Sequence, residues 1–143
     1  MSSKTAAIIL AAGKGKRMKS DLPKVLHCIN EKPLVRILME TMTKLSLERQ
    51  VVVVGFRGEM VIDELADFNV DFVWQKEQLG TGHAVMQARA LFEDFDGTIL
   101  VMQEIDPQIL PAFCSYFDEI APIKVVPAED NIPLRSGVCY LVS

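Results

Sequence analysis

Short apolar runs alternate with segments of helical spacing over the first hundred residues of this 143-residue chain. Runs that are apolar throughout indicate strands buried on both faces, as in a parallel sheet connected by crossover helices. The predicted strands are Thr5 to Leu10, Val51 to Val54, Val70 to Trp74 and Thr98 to Met102, and the predicted helices are Pro33 to Leu45, Met60 to Ala66 and Gly82 to Phe92. The alternation therefore predicts an α/β fold of Rossmann-like architecture, with a mostly parallel sheet and helices on both faces.

The pattern weakens after Met102. Two short strands are predicted there, Ile123 to Val126 and Val138 to Val142, with no clean alternation between them. A hydrophobic content of 50% is sufficient for one core in a chain of this length. We expect residues 1–102 to form an α/β core and residues 103–143 to form a shortened remainder of the same domain.

Basic residues are concentrated in one place. The formal net charge of -4 and the pI near 5.2 argue against a general nucleic-acid or membrane-surface binder. Five of the 15 basic residues nevertheless fall within eleven consecutive positions, which are Lys14, Lys16, Arg17, Lys19 and Lys24. This cluster is either a binding site for an anion or a solvated, flexible loop.

The cysteines do not indicate a disulfide framework. Cys28, Cys114 and Cys139 are odd in number and widely spaced, with no C-x-x-C pair for zinc. Reduced thiols in a cytoplasmic protein are the simplest interpretation. No apolar stretch is long enough to predict a membrane span.

The segment after the first predicted strand carries the most informative motif. Residues 10–18 read L-A-A-G-K-G-K-R-M, and residues 21–27 read D-L-P-K-V-L-H. The spacing is not that of a P-loop, and Met18 stands where the dinucleotide fingerprint requires its third glycine. Small residues let backbone N–H groups approach an anion, Arg17 is a forked donor for phosphate oxygens, and Lys24 is a point charge. These properties suit a triphosphate.

A second block supports the first. Residues 75–84 read Q-K-E-Q-L-G-T-G-H-A, directly after the third predicted strand. In this order the two blocks resemble the signature of the sugar-1-phosphate nucleotidyltransferases, and above all of the N-acetylglucosamine-1-phosphate uridylyltransferases. The resemblance covers roughly residues 5–102.

The resemblance implies roles for individual residues. The nucleotide would be lined by Leu10, Ala11, Ala12 and Gly13, its uracil and ribose by Gln75, Gly80 and Thr81, and its phosphate chain would be stabilised by the catalytic residues Arg17 and Lys24. His27 and His83 are expected to be hydrogen-bonding residues, because attack on a phosphate needs little proton transfer.

The resemblance also implies the reaction. A phosphate oxygen of N-acetylglucosamine 1-phosphate would attack the α-phosphorus of UTP, with Mg²⁺ as cofactor, to form UDP-N-acetylglucosamine and pyrophosphate. Such an enzyme supplies a precursor of peptidoglycan and the cell wall from the cytoplasm. The substrates are small molecules, so neither a nucleic-acid nor a membrane partner is expected, and no feature of the sequence predicts an oligomeric state.

Two positions depart from the family pattern. After the fourth predicted strand the family has a Gly-Asp step whose aspartate binds magnesium, whereas this chain has Gln103 and Glu104 there, followed by Asp106. Asp106 is the candidate metal ligand, with Glu104 as the other possibility. Near the end, Ser136 and Gly137 resemble an N-[ST]-G step whose asparagine is the second ligand, but Arg135 occupies that place and cannot bind a cation.

These departures leave three interpretations. The chain is missing internal segments of an active enzyme, it is a non-catalytic relative that senses a nucleotide, or it is an unusual active enzyme. The first is favoured because the two motif blocks are intact. A related enzyme with another base or sugar is a further alternative, and there is no hexapeptide-repeat region of the kind that forms a β-helix acetyltransferase domain.

Overall fold

The computed structural model describes residues 4–102, 108–120 and 124–142. The strands within these ranges are β1 (Thr5–Ala11), β2 (Cys28–Ile29), β3 (Lys32–Pro33), β4 (Arg49–Val54), β5 (Asp71–Trp74), β6 (Thr98–Met102), β7 (Lys124–Pro127) and β8 (Val138–Val142). The helices are α1 (Leu34–Met42), α2 (Gly58–Glu64), α3 (Thr81–Gln87) and α4 (Leu110–Ile120), with short 3₁₀ turns at Lys16–Met18, Lys24–Leu26 and Arg89–Phe92. None of these helices combines the length and hydropathy needed to cross a membrane.

The main sheet has the strand order β5-β4-β1-β6-β8-β7, and all of its described neighbours pair in parallel. β1 is central, with Ile8 opposite Val51 on one side and Val101 on the other. The predicted α/β architecture with a mostly parallel sheet is therefore confirmed. Because β4 and β5 lie on one side of β1 and β6 on the other, the strand order reverses beside β1, which is where ligands bind in such sheets.

The two faces of the sheet carry separate cores, as predicted. Ala7, Ile9 and Ala11 of β1 lie in the core covered by α1 and α2, whereas Ile8 lies in the core covered by α3 and α4. The four valines of β4, residues 51–54, are completely buried. Each such side chain contributes roughly 1.5–3 kcal/mol on burial, so the central strands hold the connecting loops on a rigid base.

Two predicted helices are too long. Pro33 pairs with Cys28 in the β2–β3 hairpin, so the first helix begins at Leu34, and it ends at Met42, leaving Leu45 50% exposed. The predicted helix Gly82 to Phe92 is interrupted after Gln87 and continues only as the 3₁₀ turn Arg89–Phe92. In both cases the apolar spacing continues past the point where the backbone leaves the helix.

Helix α4 was not predicted. Its sequence, L-P-A-F-C-S-Y-F-D-E-I, contains a proline. A proline argues against a helix unless the helix is known to begin next to it. Pro111 is the second helical residue, a position at which the missing N–H costs no intrahelical hydrogen bond. The predicted strand Ile123 to Val126 is observed as Lys124–Pro127, and Ile123 lies outside the described residues.

The three cysteines differ in accessibility. Cys28 is exposed, whereas Cys114 and Cys139 are buried in the same core cluster. Burial, reinforced by the nearby Cys114, raises the pKa of the Cys139 thiol to about 12, and burial also raises the pKa of Cys114. Both buried groups are therefore neutral thiols near pH 7, and only the thiolate is nucleophilic.

This difference predicts the outcome of thiol alkylation. At pH 7.5 the folded protein should react rapidly with iodoacetamide at Cys28 alone, and at Cys114 and Cys139 only after denaturation. Peptide mass spectrometry after short and long exposure measures the three sites separately. Equal alkylation of all three sites in the folded protein would contradict the burial of α4 against the sheet.

Candidate functional site

Three loops meet at the carboxyl ends of β1, β4 and β5. Their meeting point is the backbone carbonyl oxygen of Ala12, which accepts a hydrogen bond from the backbone N–H of Phe56 at 3.1 Å and another from the side-chain Nε2 of Gln78 at 3.0 Å. Ala12 follows β1, Phe56 follows β4, and Gln78 follows β5. The two sequence motifs are thus joined directly to each other and to a third segment.

Gly55 makes this junction possible. A Cβ atom at Gly55 would lie 2.6 Å from Nε2 of Gln78 and 2.9 Å from both the carbonyl oxygen and the Cβ of Ala12. Such distances are too short for any side chain. The close approach of the three loops therefore requires glycine at this position.

The two halves of the first motif also touch. Gly15 adopts a left-handed conformation with φ of 67°, and a Cβ there would lie 2.8 Å from Cβ of Lys24. Lys24 itself is held between two buried residues, because Pro23 and Leu26 both pack into the protein. The glycine-rich loop is therefore placed against the lysine that was predicted to act on the phosphate chain.

A basic concavity lies in this loop. Its volume is about 290 Å³, and it is lined by Lys14, Lys16, Lys19, Ser20 and Asp21. Arg17 is exposed on the 3₁₀ turn between these lysines. The arrangement concentrates positive charge at one rim of the loop junction, which suits the charge of a polyphosphate.

The backbone beside this basic rim is accessible. Gly13 is exposed, and no atom lies within 4 Å of the position that a Cβ would occupy there. Lys14 places its Nζ 5.0 Å from the centre of the Phe56 ring, close enough for a cation–π contact. Leu10, by contrast, is partly buried and packs against the core under α3 and α4, while Ala11 and Ala12 are buried.

Gln75 is almost fully enclosed, with 3% of its surface exposed. Its backbone N–H donates to the carbonyl of Val54 at 2.8 Å, and its side-chain Nε2 donates to the carbonyl of Gly80 at 2.9 Å. Gly80, with φ of 102°, immediately precedes α3, whose first residue is Thr81. Since the amide nitrogen of Gln75 is engaged within the protein, its amide oxygen is the group left to accept a hydrogen bond from a ligand.

His83 belongs to the same network. Its Nδ1 lies 3.1 Å from Nε2 of Gln75, and its Nε2 lies 3.1 Å from Nε2 of Gln87. Both ring nitrogens therefore face glutamine amides on the protein side. This position agrees with a hydrogen-bonding role and offers no route for proton transfer to a phosphate.

The described part of the chain contains neither of the two candidate metal ligands. Asp106 and Glu104 lie outside the described part of the chain. Within residues 4–102, 108–120 and 124–142, no three acidic, histidine or cysteine side chains come together in a way that could hold a metal ion.

Arg135, which stands where the resemblance has its second metal ligand, lies away from the loop junction. The hydroxyl of Thr98 donates to the carbonyl of Arg135 at 3.0 Å, and the N–H of Gly137 donates to the carbonyl of Gly97 at 3.0 Å. Thr98 is the first residue of β6, so Arg135 lies at the amino ends of the strands. The loop junction lies at their carboxyl ends, on the opposite edge of the parallel sheet.

Three residues of the junction were not selected as candidates from the sequence. Gln78 lies inside the second motif, and Gly55 and Phe56 follow the second predicted strand. A glycine directly after a buried strand was the available signal, because loops that follow neighbouring parallel strands meet at one edge.

A family model and several known proteins match this chain. The family model for the MobA-like NTP transferase domain matches residues 7–130. The bifunctional protein GlmU of Thermus thermophilus is 50% identical over 136 residues, which is 92% of this chain and 30% of that protein. The protein of the same name from Paramagnetospirillum magneticum is 50% identical over 111 residues, which is 78% of this chain and 24% of that protein. The chain thus spans less than a third of the length of these relatives.

Solved structures share the fold. HddC from Yersinia pseudotuberculosis superposes with a TM-score of 0.58 and 31% identity over 67% of this chain and 46% of that one. A UDP-glucose pyrophosphorylase complexed with UDP-glucose superposes with a TM-score of 0.55 over 91% of this chain and 58% of that one. The latter pair is 20% identical, so it supports the architecture alone.

Proposed function

Because this chain belongs to the MobA-like NTP transferase domain family, we propose that it is a nucleotidyltransferase that forms UDP-N-acetylglucosamine and pyrophosphate from UTP and N-acetylglucosamine 1-phosphate. The substrates rest on the 50% identity to GlmU proteins and on the intact motif blocks. From the resemblance of the motif blocks, the proposal extends to a role in supplying cell-wall peptidoglycan precursors in the cytoplasm.

The observation that carries the proposal is the junction at Ala12. It joins a glycine-rich loop with an accessible backbone, a basic rim and the Gln75 to Gly80 turn at the point where the strand order reverses. A nucleoside triphosphate has one anionic end and one end with hydrogen-bonding edges. The basic rim of the junction matches the anionic end of the nucleotide, and the Gln75 to Gly80 turn matches its base.

The turn that begins at Gln75 supports uracil as the base. Uracil presents an N–H between two carbonyl oxygens on its edge. The amide oxygen of Gln75 can accept from that N–H, while backbone N–H groups in the turn at Gly80 and Thr81 can donate to a carbonyl. This assignment of Gln75, Gly80 and Thr81 is a proposal, as is the lining of the nucleotide by Leu10, Ala11, Ala12 and Gly13.

The reaction is a displacement at the α-phosphorus. A phosphate oxygen of the sugar phosphate forms the new P–O bond as the bond to the β-phosphate oxygen breaks, and pyrophosphate leaves with the electron pair. Arg17 and Lys24 stabilise the charge that develops on the phosphate oxygens, and the loop fixes the direction of attack.

A divalent cation completes the proposal. Nucleotidyltransferases of this type generally use one, and Mg²⁺ held by a carboxylate such as that of Asp106 would neutralise part of the charge of the phosphate chain. The described residues supply no carboxylate cluster for it, and the candidate ligand Asp106 lies outside them. Among the described residues, we assign the catalytic roles to Arg17, Lys24 and the loop backbone.

The proposed function predicts the requirements of pyrophosphate release. With UTP, N-acetylglucosamine 1-phosphate and Mg²⁺ all present, an enzyme-coupled pyrophosphate assay should give continuous release, and mass spectrometry should detect UDP-N-acetylglucosamine. Omission of the sugar phosphate or addition of EDTA should abolish release. Parallel reactions with CTP, ATP, GTP or glucose 1-phosphate test the choice of base and sugar, and equal rates with these compounds would contradict it.

A nucleotide sensor is the second candidate. It is favoured by the lack of the family's Gly-Asp step in the sequence, where this chain has Gln103 and Glu104. Calorimetric titration with UTP separates the two functions. UTP binding with no pyrophosphate release under any of the conditions above would support the sensor, and the absence of both would contradict both candidates.

A further inference from the structure

We propose that Gln78 is a positioning residue that couples the base-binding turn to the phosphate-binding loop. The inference rests on the proposed function, since it assigns to one residue the communication between the two ends of the nucleotide. Gln78 would act through Ala12 and Gly13 without contacting the reacting atoms.

The contact of Gln78 is unusual for an exposed residue. Gln78 is exposed on the loop after β5, yet its amide nitrogen reaches the carbonyl of Ala12, 66 positions earlier in the chain, at 3.0 Å. Gly55 leaves just enough space for this amide, because a Cβ there would approach it to 2.6 Å. The contact is therefore built into the junction by a second residue.

The peptide bond between Ala12 and Gly13 transmits the effect. The carbonyl of Ala12 and the N–H of Gly13 belong to one planar trans peptide unit and point in opposite directions. Gln78 and Phe56 hold the carbonyl on the protein side, so the N–H of Gly13 is directed away from them. Gly13 is exposed on an open side of the loop, where an anion could accept this hydrogen bond.

The same loop carries the groups proposed to bind the base. Gln75 and Gly80, on either side of Gln78 in the chain, are joined to each other by the Nε2 hydrogen bond of Gln75. A base that orders this turn also holds Gln78 in place and thereby orients the Gly13 N–H for the phosphate chain. Binding at the two ends is then positively coupled, and thermodynamic linkage makes this coupling reciprocal.

The test compares Gln78→Leu with the matched variant Glu77→Gln, which changes the neighbouring exposed residue of the same loop. We expect Gln78→Leu to raise the Kd for UTP about tenfold, in keeping with the loss of one well-placed hydrogen bond. The Kd for uridine should stay within about twofold, because Gln75 and Gly80 remain joined. Glu77→Gln should match the unsubstituted protein for both ligands.

A second measurement is independent of the ligand. In the free protein, the amide resonance of Gly13 should shift in Gln78→Leu and stay in place in Glu77→Gln, because the hydrogen bond to the preceding carbonyl is lost only in the former. The melting temperature should fall by no more than a few degrees in Gln78→Leu, since the carbonyl of Ala12 keeps its hydrogen bond from Phe56, and should not change in Glu77→Gln.

The outcomes separate this inference from the proposed function. If the unsubstituted protein does not bind UTP, the proposed function fails and the coupling fails with it. If it binds UTP and Gln78→Leu binds UTP equally well, only the role of Gln78 is overturned. An unshifted Gly13 resonance in Gln78→Leu would likewise overturn the positioning role.

Discussion

Replacing Lys24 with alanine is expected to lower the rate of pyrophosphate release by about 10²–10³-fold, the loss typical of removing one group that stabilises transition-state charge. Lys24 follows the buried Pro23 and lies against Gly15, so its side chain starts from a fixed point beside the glycine-rich loop. Alanine keeps the Cβ that contacts Gly15. The melting temperature should therefore remain unchanged while the rate falls.

Lys44→Ala is the matched control for this substitution. Lys44 is an exposed lysine in the turn after α1, near the amino end of β4 and on the edge of the sheet away from the loop junction. Its removal should leave both the rate and the melting temperature unchanged. A Lys24→Ala protein that keeps more than about a third of the rate would remove Lys24 from the proposed mechanism.

Replacing Gly55 with alanine is expected to destabilise the protein by about 1–3 kcal/mol, the range for forcing a methyl group into a filled space. The new Cβ would meet the Nε2 of Gln78 at 2.6 Å and the carbonyl oxygen of Ala12 at 2.9 Å. The Gln78 side chain can move away, but the Ala12 backbone is part of the central strand connection and cannot do so without disturbing the loop. Chemical denaturation measures the loss of stability.

The binding of UTP should weaken in the same variant, by about tenfold, because the hydrogen bond from Gln78 to Ala12 cannot form beside the new methyl group. Gly13→Ala is the control, since no atom lies within 4 Å of its Cβ position. That variant is a control for stability alone and should be as stable as the unsubstituted protein. Its affinity for UTP should fall, because the new methyl group lies on the side of the loop that is open to the ligand. Equal stability of Gly55→Ala and the unsubstituted protein would contradict the close contact of the three loops.

The parallel sheet could be predicted because its strands are apolar on both faces. Val51 to Val54 indicate a buried strand whatever surrounds them, and Thr98 to Met102 coincides with β6. Helix ends were harder to predict, since they depend on contacts outside the helix. Pro33 is compatible with a helix start, but its pairing with Cys28 places it in a hairpin instead.

The candidate site, like the fold, could be predicted only in part. Its motif residues could be identified from the sequence, because glycines and basic residues close together in the chain already describe a phosphate loop. The junction could not be identified, because the hydrogen bond between Gln78 and Ala12 joins segments with no local relationship. The resemblance linked position 135 to the metal site from the order of residues alone. Because β8 runs parallel to β6, the segment before β8, which contains Arg135, lies at the edge of the sheet opposite the loop junction.

The central position of β1 also has a consequence for biosynthesis. β1 precedes both of its sheet neighbours in the chain, and these begin only at Arg49 and Thr98. Until β6 has been made, the nascent chain carries an apolar strand with an unpaired edge, which is a site for association with other chains. Closing such distant parallel pairs is slow, so the open edge of β1 is exposed to other chains for longer than the edge of a strand paired in a hairpin.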